Sequence, residues 1–407
     1  MVDSRWLLIE KHYERVCVKT VFKARKLFSP LETLEQAVVV VEDGMITSLS
    51  SQAERDLPAD AEIIDFQDGV IAPAYFDQHV HGSGGFDVME ATEEALVGVS
   101  RFLGRHGVAG YLATTVTASM DATLKSLSGL ARLIEAAQDR VDPGAATALP
   151  VGIHLEGPFL SHEKRGVHSP ELLLTPTVAL FDRFWQAAEG RIRLITIAPE
   201  LPNAAEVIAH ATARGVRVSI GHSNATAEFA QAAIAAGAVS ATHTFNAMRQ
   251  LEHRDPGILG VVLDDGALFA EIICDGHHVM PMVVRLFWKA KGAGRAILIT
   301  DGISASGMPD GLYKLGNLDV VVKDGQCTSG GSIAGSTLTM DRAVSNFHEF
   351  TGAPLAEVAG LAGRNPARML GLEDRFGSLE VGRRADFVVL GEGGVLRESV
   401  LDGRRAK

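Results

Sequence analysis

GVIAPAYFDQHVHG, residues 69–82, is the stretch on which the fold turns. It begins as an apolar, β-prone segment and ends on two histidines, His79 and His81, just before the glycine-rich run GSGGFD. In an extended chain residues i and i+2 share a face, so both imidazoles project the same way where regular structure stops. Seven more strand-like segments follow: GYLATTVT (110–117), PVGIHLEG (150–157), RIRLITIAPE (191–200), GVRVSIGHS (215–223), AVSATHTF (238–245), ALFAEIICDGHH (267–278) and RAILITDG (295–302). Helix-patterned stretches alternate with them, among them ATEEALVGVSRFLGRHG (91–107), MDATLKSLSGLARLIEAAQDR (120–140) and NATAEFAQAAIAAGA (224–238). Such alternation signals parallel βαβ units. Eight strands in this span fit a (β/α)8 barrel of the TIM type, which takes roughly 250 residues. A doubly wound open sheet is the competing architecture, and strand counting does not separate the two.

Both ends of the chain read as short strands. VCVKTVFKARKLF (16–28) and QAVVVVEDGMITSLS (36–50) lead in, and GSLEVGRRADFVVL (377–390) and SVLDGRRAK (399–407) close the sequence. Asp-Gly pairs at 43–44 and 68–69 are tight-turn signals between such strands. The expectation is a small β-sandwich domain built from residues 1–71 and 376–407, beside a barrel over 72–375. Of 407 residues, 46% are hydrophobic and 22% charged, ample for a core. The net charge is −12 with no Lys/Arg-rich run, which speaks against nucleic acid or an anionic membrane as partner. No window approaches the roughly 18 apolar residues of a membrane span. Cys17, Cys274 and Cys327 are sparse and odd in number, neither a disulfide framework nor a CxxC zinc site. They suit a reducing compartment, so a cytoplasmic location is expected.

Six metal-ligand-type side chains sit at strand ends: His79 and His81 on the first, Glu156 on the third, His222 on the fifth, His243 on the sixth and Asp301 on the eighth. Taken singly, a strand-end histidine is more often a packing residue and an Asp before Gly a turn former. Taken together they occupy five carboxyl ends, where barrel active sites are built. Imidazole nitrogen and carboxylate oxygen are also what zinc, iron, manganese and cobalt accept. HxH is therefore read as part of a metal centre. GSGG (82–85) lacks a P-loop lysine and a dinucleotide fingerprint, and a turn explains it.

These residues resemble the amidohydrolase superfamily, which carries HxH on strand 1, single histidines on strands 5 and 6 and an aspartate on strand 8. Within it the chain resembles the N-acetylglucosamine-6-phosphate deacetylases, through HLEGPFLSHEKRGVH, GHSNAT, THTFNAM, DGHHV, IAGSTLTM, NPARMLGL and GSLEVGRRADFVVL. Many barrel amidohydrolases bridge two metals with a carboxylated lysine on strand 4; Glu156 in HLEGPF is the deacetylases' form. The resemblance implies that Glu156, His222 and His243 hold a principal divalent ion, zinc first, with iron, manganese or cobalt as alternatives. Some members replace HxH with amides and use one metal; here His79 and His81 keep a second site available. It further implies Asp301 as the proton shuttle and His278, rather than His277, as the group that hydrogen-bonds the acetyl oxygen. Asn246, Ala247, Val167, His168, Ile333, Ala334 and Gly335 match sugar-phosphate contacts. Arg254 matches an arginine that reaches the phosphate from a neighbouring subunit, which implies a homodimer; taken alone it reads as a solvated loop charge.

The activity implied is removal of acetate from N-acetylglucosamine 6-phosphate. Deacetylases of other amino-sugar phosphates share the scaffold. Dihydroorotase-like amidases and nucleobase deaminases fit less well, given Glu156 and the FNAM segment. A non-catalytic sugar-phosphate sensor is disfavoured because Glu156, His222, His243 and Asp301 are all present.

Overall fold

Apolar runs buried on both faces need a layer on each side, and a closed parallel sheet ringed by helices supplies it. The computed structural model describes residues 19–30, 32–51, 57–58, 60–139 and 146–406. Its central sheet runs β1 (Tyr75–Val80), β2 (Val108–Thr115), β3 (Leu149–Glu156), β4 (Ile192–Ile197), β5 (Arg217–Ile220), β6 (Ala238–Ala241), β7 (Phe269–Ile273) and β8 (Ala296–Ile299). Each strand pairs in parallel with the next. Between the outer two, the Asp301 N–H donates to the His79 carbonyl (2.9 Å) and the His81 N–H to the Gly302 carbonyl (2.8 Å). The barrel thus closes at the residues singled out for metal binding, and the open-sheet alternative falls.

Eight helices alternate with these strands: α1 (Glu93–Arg105), α2 (Met120–Asp139), α3 (Val178–Ala187), α4 (Ala204–Ala213), α5 (Ala227–Ala236), α6 (Gly257–Asp264), α7 (Pro281–Arg295) and α8 (Met340–Thr351). Local chemistry sets their ends. Thr92 and Thr177 cap α1 and α3 by accepting the N–H groups of Ala95 and Leu180. Gly237, at φ 119°, ends α5 in a conformation that side chains resist. Between the layers lie large buried side chains such as Phe76, Phe181, Phe184, Phe287 and Phe347.

The expected first strand over 69–82 is in fact two. Val70–Pro73 belongs to a second sheet and Tyr75–Val80 to the barrel, parted at Ala74. The second sheet runs 404–405, 396–401, 387–390, 70–73, 19–28, 33–42 and 45–51, with 62–65 also paired to 19–28. N- and C-terminal segments are sewn together where Val70–Pro73 runs antiparallel to Phe387–Leu390. Phe22, Ile46, Ile71 and Phe387 share its core, with the Phe22 and Phe387 rings edge to face at 5.0 Å. Cys17 and the start of the 16–28 segment lie outside the described residues.

A third sheet went unread in the sequence. Gly311–Leu315, Leu318–Lys323, Gln326–Ser329 and Ser332–Ile333 form an antiparallel four-stranded unit between β8 and α8. Leu315, Val320, Val322 and Cys327 pack beneath it on Ile303 and Ala305. Its hairpin signal, Asp324-Gly325, is in the sequence, and both residues adopt positive φ.

Candidate metal centre

Three of the candidate ligands share a backbone feature. His222, His243 and Asp301 each sit two residues beyond their strand and adopt left-handed φ values of 46°, 28° and 50°. For residues with a Cβ this costs about 1–3 kcal/mol each and persists where surrounding structure imposes it. The sharp turn swings each side chain back over the barrel mouth, where it meets groups from β1 and β3.

Six side chains converge there as two triads, His79–His81–Asp301 and Glu156–His222–His243. All six are buried. Nε2 of His222 and His243 are 3.0 Å apart, and those of His79 and His81 are 3.3 Å apart. Glu156 lies between the triads. Its Oε1 is 3.2 Å from His243 Nε2 and 3.3 Å from His222 Nε2, while Oε2 is 3.2 Å from His81 Nε2. Asp301 Oδ1 lies 3.2 Å from His81 and 3.4 Å from His79. Tetrahedral bonds of about 2.0–2.1 Å place donor atoms about 3.3 Å apart, so these separations are the edges of a coordination polyhedron.

The tautomers fit a cation as well. His81 Nδ1 faces the Thr114 carbonyl (3.1 Å) and His222 Nδ1 the Lys164 carbonyl (2.9 Å). His79 Nδ1 faces the Glu271 carboxylate at 3.3 Å. Those partners only accept, so Nδ1 carries the proton and the Nε2 lone pair points inward. Lone pairs aimed at one another, beside two buried carboxylates, call for positive charge between them. Among the described residues Glu156 and Asp301 have ion-pair partners that are histidines alone. The same demand appears in the proton affinities. Burial opposes a charged imidazole at His79 and His81, yet Glu156 and Asp301 outweigh it, lifting His79 well above its ordinary range and His81 to about 9. Burial pushes the Asp301 carboxyl up, but His79 and His81 hold it well below the usual carboxylate range. A divalent ion meets this demand, and the donor set fits one or two.

The centre opens into a cavity of about 400 Å³. Val167, His168, Asn246, Ala247, His278, Ile333 and Gly335 all line it. Ala334 is instead buried in the core under the third sheet. A Cβ on Gly335 would lie 2.4 Å from Ile303, so its lack of a side chain is a packing requirement as well. Arg254 is exposed on the loop after β6 and lies outside the lining in its own chain. His277 is exposed. His278 has Nδ1 2.7 Å from Asp275 Oδ2, leaving Nε2 for the cavity. Asp275, which the sequence reading passed over, also takes the N–H groups of His277 and His278 at 2.8 Å each, as an aspartate two residues before a turn can. His168 is depressed to about 3 by burial and by His222. The Thr117 N–H donates to its Nδ1, so the neutral ring carries its proton on Nε2, the nitrogen nearer Glu156. Lys164 and Glu163 also line the cavity, and His154 and Glu271 lie in the barrel beneath; sequence position alone did not mark them. GSGG forms the expected turn, with Gly82–Ser83 paired to Phe86–Asp87.

The sequence pattern of the Amidohydrolase family matches residues 70–404. The chain belongs to this family. Two relatives are 36% identical to it: an N-acetylgalactosamine-6-phosphate deacetylase of Escherichia coli O157:H7, over 95% of this chain and 99% of its own length, and an N-acetylglucosamine-6-phosphate deacetylase of Vibrio furnissii, over 94% of each. A solved N-acetyl-D-glucosamine-6-phosphate deacetylase of Mycobacterium smegmatis, in complex with N-acetyl-D-glucosamine-6-phosphate, superposes with a TM-score of 0.88 at 34% identity. That match covers 96% of this chain and 99% of the other. The barrel's carboxyl end carries the HxH pair and the other strand-end candidate ligands. No helix among the described residues is long and apolar enough to cross a membrane.

Proposed function

We propose that this chain is a metal-dependent deacetylase that hydrolyses N-acetyl-D-glucosamine 6-phosphate to D-glucosamine 6-phosphate and acetate in amino-sugar breakdown. The observation that carries the reading is the pair of ligand triads joined by Glu156 at the floor of the 400 Å³ cavity. The names of the relatives and the sugar phosphate in the solved complex support the substrate. Glu156, His222 and His243 would hold the principal ion, and His79 and His81, with Asp301, would hold a second. Zinc suits these N and O donors; iron, manganese and cobalt also bind them. Such an ion supplies Lewis acidity, lowering the pKa of a bound water to about 7 and polarising a carbonyl. Asp301 takes the proton of the attacking water and passes it to the departing nitrogen. His278, oriented by Asp275 through Nδ1, faces the acetamide oxygen with Nε2 and donates to it with both ring nitrogens protonated, as charge builds on that oxygen. His168 and Asn246 donate to the sugar phosphate, with Ala247, Val167, Ile333 and Gly335 shaping its bed, while Ala334 supports that turn from the core beneath. The expected result is acetate release from the phosphorylated N-acetyl sugar far faster than from the unphosphorylated one. Equal rates on the two sink the phosphate assignment.

A second reading, N-acetyl-D-galactosamine 6-phosphate as the preferred substrate, is favoured by the 36% identity to the Escherichia coli O157:H7 enzyme. The two sugars differ at one hydroxyl, so kcat/KM on both decides between them.

Exposure outside its own cavity is what Arg254 needs to act in a neighbour's site, and it supports a homodimer in which each chain's Arg254 completes the other's phosphate pocket. Its planar fork suits phosphate oxygens. Arg254→Ala should raise KM for the phosphorylated substrate by about ten- to a hundred-fold, the worth of a charged hydrogen bond, with kcat little changed. Full activity at low substrate in a monomer shown by light scattering overturns the arrangement. Sheet membership supports a small β domain of N- and C-terminal segments beside a catalytic barrel, with the break at Ala74 in place of the 71/72 boundary. The buried free thiols of Cys274 and Cys327 support a cytoplasmic setting.

A further inference from the structure

Glu271 is a fully buried carboxylate in the middle of β7, on the one strand between β5 and β8 that supplies no ligand. Its two oxygens do different work. Oε1 accepts a 2.6 Å hydrogen bond from Gln78 Nε2. Oε2 accepts the His243 main-chain N–H at 3.1 Å and lies 3.3 Å from His79 Nδ1. One carboxylate oxygen therefore touches a member of each triad. Next to it the Thr244 N–H donates to the Glu271 carbonyl at 2.8 Å, so β7 grips the strained turn after β6 on both sides of its peptide.

We propose that Glu271 is a positioning residue that sets both metal triads at once, holding the His79 ring with its Nε2 lone pair inward and fixing the left-handed His243 turn. A buried carboxylate is costly unless paired and fully hydrogen-bonded, and here the pairing is with the outer nitrogen of His79 rather than with a lysine or arginine. Hydrogen bonding at the outer nitrogen fixes ring orientation and raises the basicity of the inner one. Gln78 completes the device: its amide keeps the carboxylate from rotating and occupies the oxygen that His79 and His243 do not use.

The proposal rests on reading the triads as a metal centre. If that reading fails, the wild-type protein itself binds no metal, an outcome separate from a loss confined to variants. The test is chelator competition with zinc on metal-stripped protein. Glu271→Gln should weaken binding at both triads by about 10- to 100-fold, because it removes the negative charge that faces the outer nitrogen of His79. The exchanged pair Gln78→Glu with Glu271→Gln preserves total charge and the amide–carboxylate bond but moves the charge off His79, and should stay weak. Wild-type affinity in either variant overturns the proposal. Should Glu271→Gln fail to fold, Gln78→Leu leaves the carboxylate in place and frees it to rotate. A several-fold weaker metal is then expected, and unchanged affinity refutes the role. A purely structural contribution would move the melting temperature of the apo-protein and leave metal affinity where it was.

Discussion

Asp301→Asn should lower turnover by about two to four orders of magnitude, the range over which general acid–base groups act, while substrate KM moves little. The substitution preserves shape. The Asp301 N–H still donates to the His79 carbonyl, and its carbonyl still accepts the Ser336 N–H at 2.8 Å, so barrel closure and the left-handed turn survive. What disappears is the charge and the ability to take a proton. The amide neither accepts the water's proton nor delivers one to nitrogen. Asp301 also belongs to the His79–His81 triad, its Oδ1 3.2 Å from His81 Nε2, so metal held there should weaken. The Glu156–His222–His243 triad has no share in Asp301 and should keep its ion. Elemental analysis beside steady-state kinetics separates the two effects. A variant with intact metal and near-normal kcat removes Asp301 from proton transfer.

Much of this site could be read from sequence because its candidate ligands are tied to secondary structure. A strand fixes where its carboxyl end lies, so strand assignment sets His79, Glu156, His222, His243 and Asp301 at carboxyl ends, and closure between Asp301 and His79 brings those ends to one mouth. Other features depend on contacts between distant segments. Glu271 and Gln78 meet across 193 residues, and neither stands at a strand end. Asp275 was legible in principle, since an aspartate before Gly-His-His is an Asx-turn former, yet only the 2.7 Å contact with His278 gives it a task. The Val70–Pro73 break escaped notice because both halves of the 69–82 segment are equally apolar. Only pairing partners show that one half joins Phe387–Leu390 and the other Val108–Thr115. The sheet over 311–333 shows the exposed–buried alternation of a one-sided strand, with Leu312 79% exposed, so it lacks the fully apolar signature by which the barrel strands were counted.

Glu156→Gln should be more damaging still. His222→Ala removes one donor from one triad, whereas Glu156 is the group both triads share: Oε1 faces His222, His243 and His79, and Oε2 faces His81. With His neutral, Glu156 and Asp301 are the two negative charges in the cluster, and glutamine halves that charge. It also turns an NH2 toward inward-facing lone pairs, filling with a donor the space a cation takes. Metal content should fall to roughly a tenth of wild type or less after dialysis, and turnover by at least about a thousand-fold. Without the ion, water reverts from a pKa near 7 toward 15.7, and hydroxide becomes scarce at neutral pH. Micromolar zinc in the assay should partly restore His222→Ala, which keeps Glu156 and His243, but not Glu156→Gln. The decisive comparison is metal bound per chain in the two variants. If Glu156→Gln keeps as much metal as His222→Ala, the carboxylate does not join the triads and the centre must be redrawn around the four imidazoles.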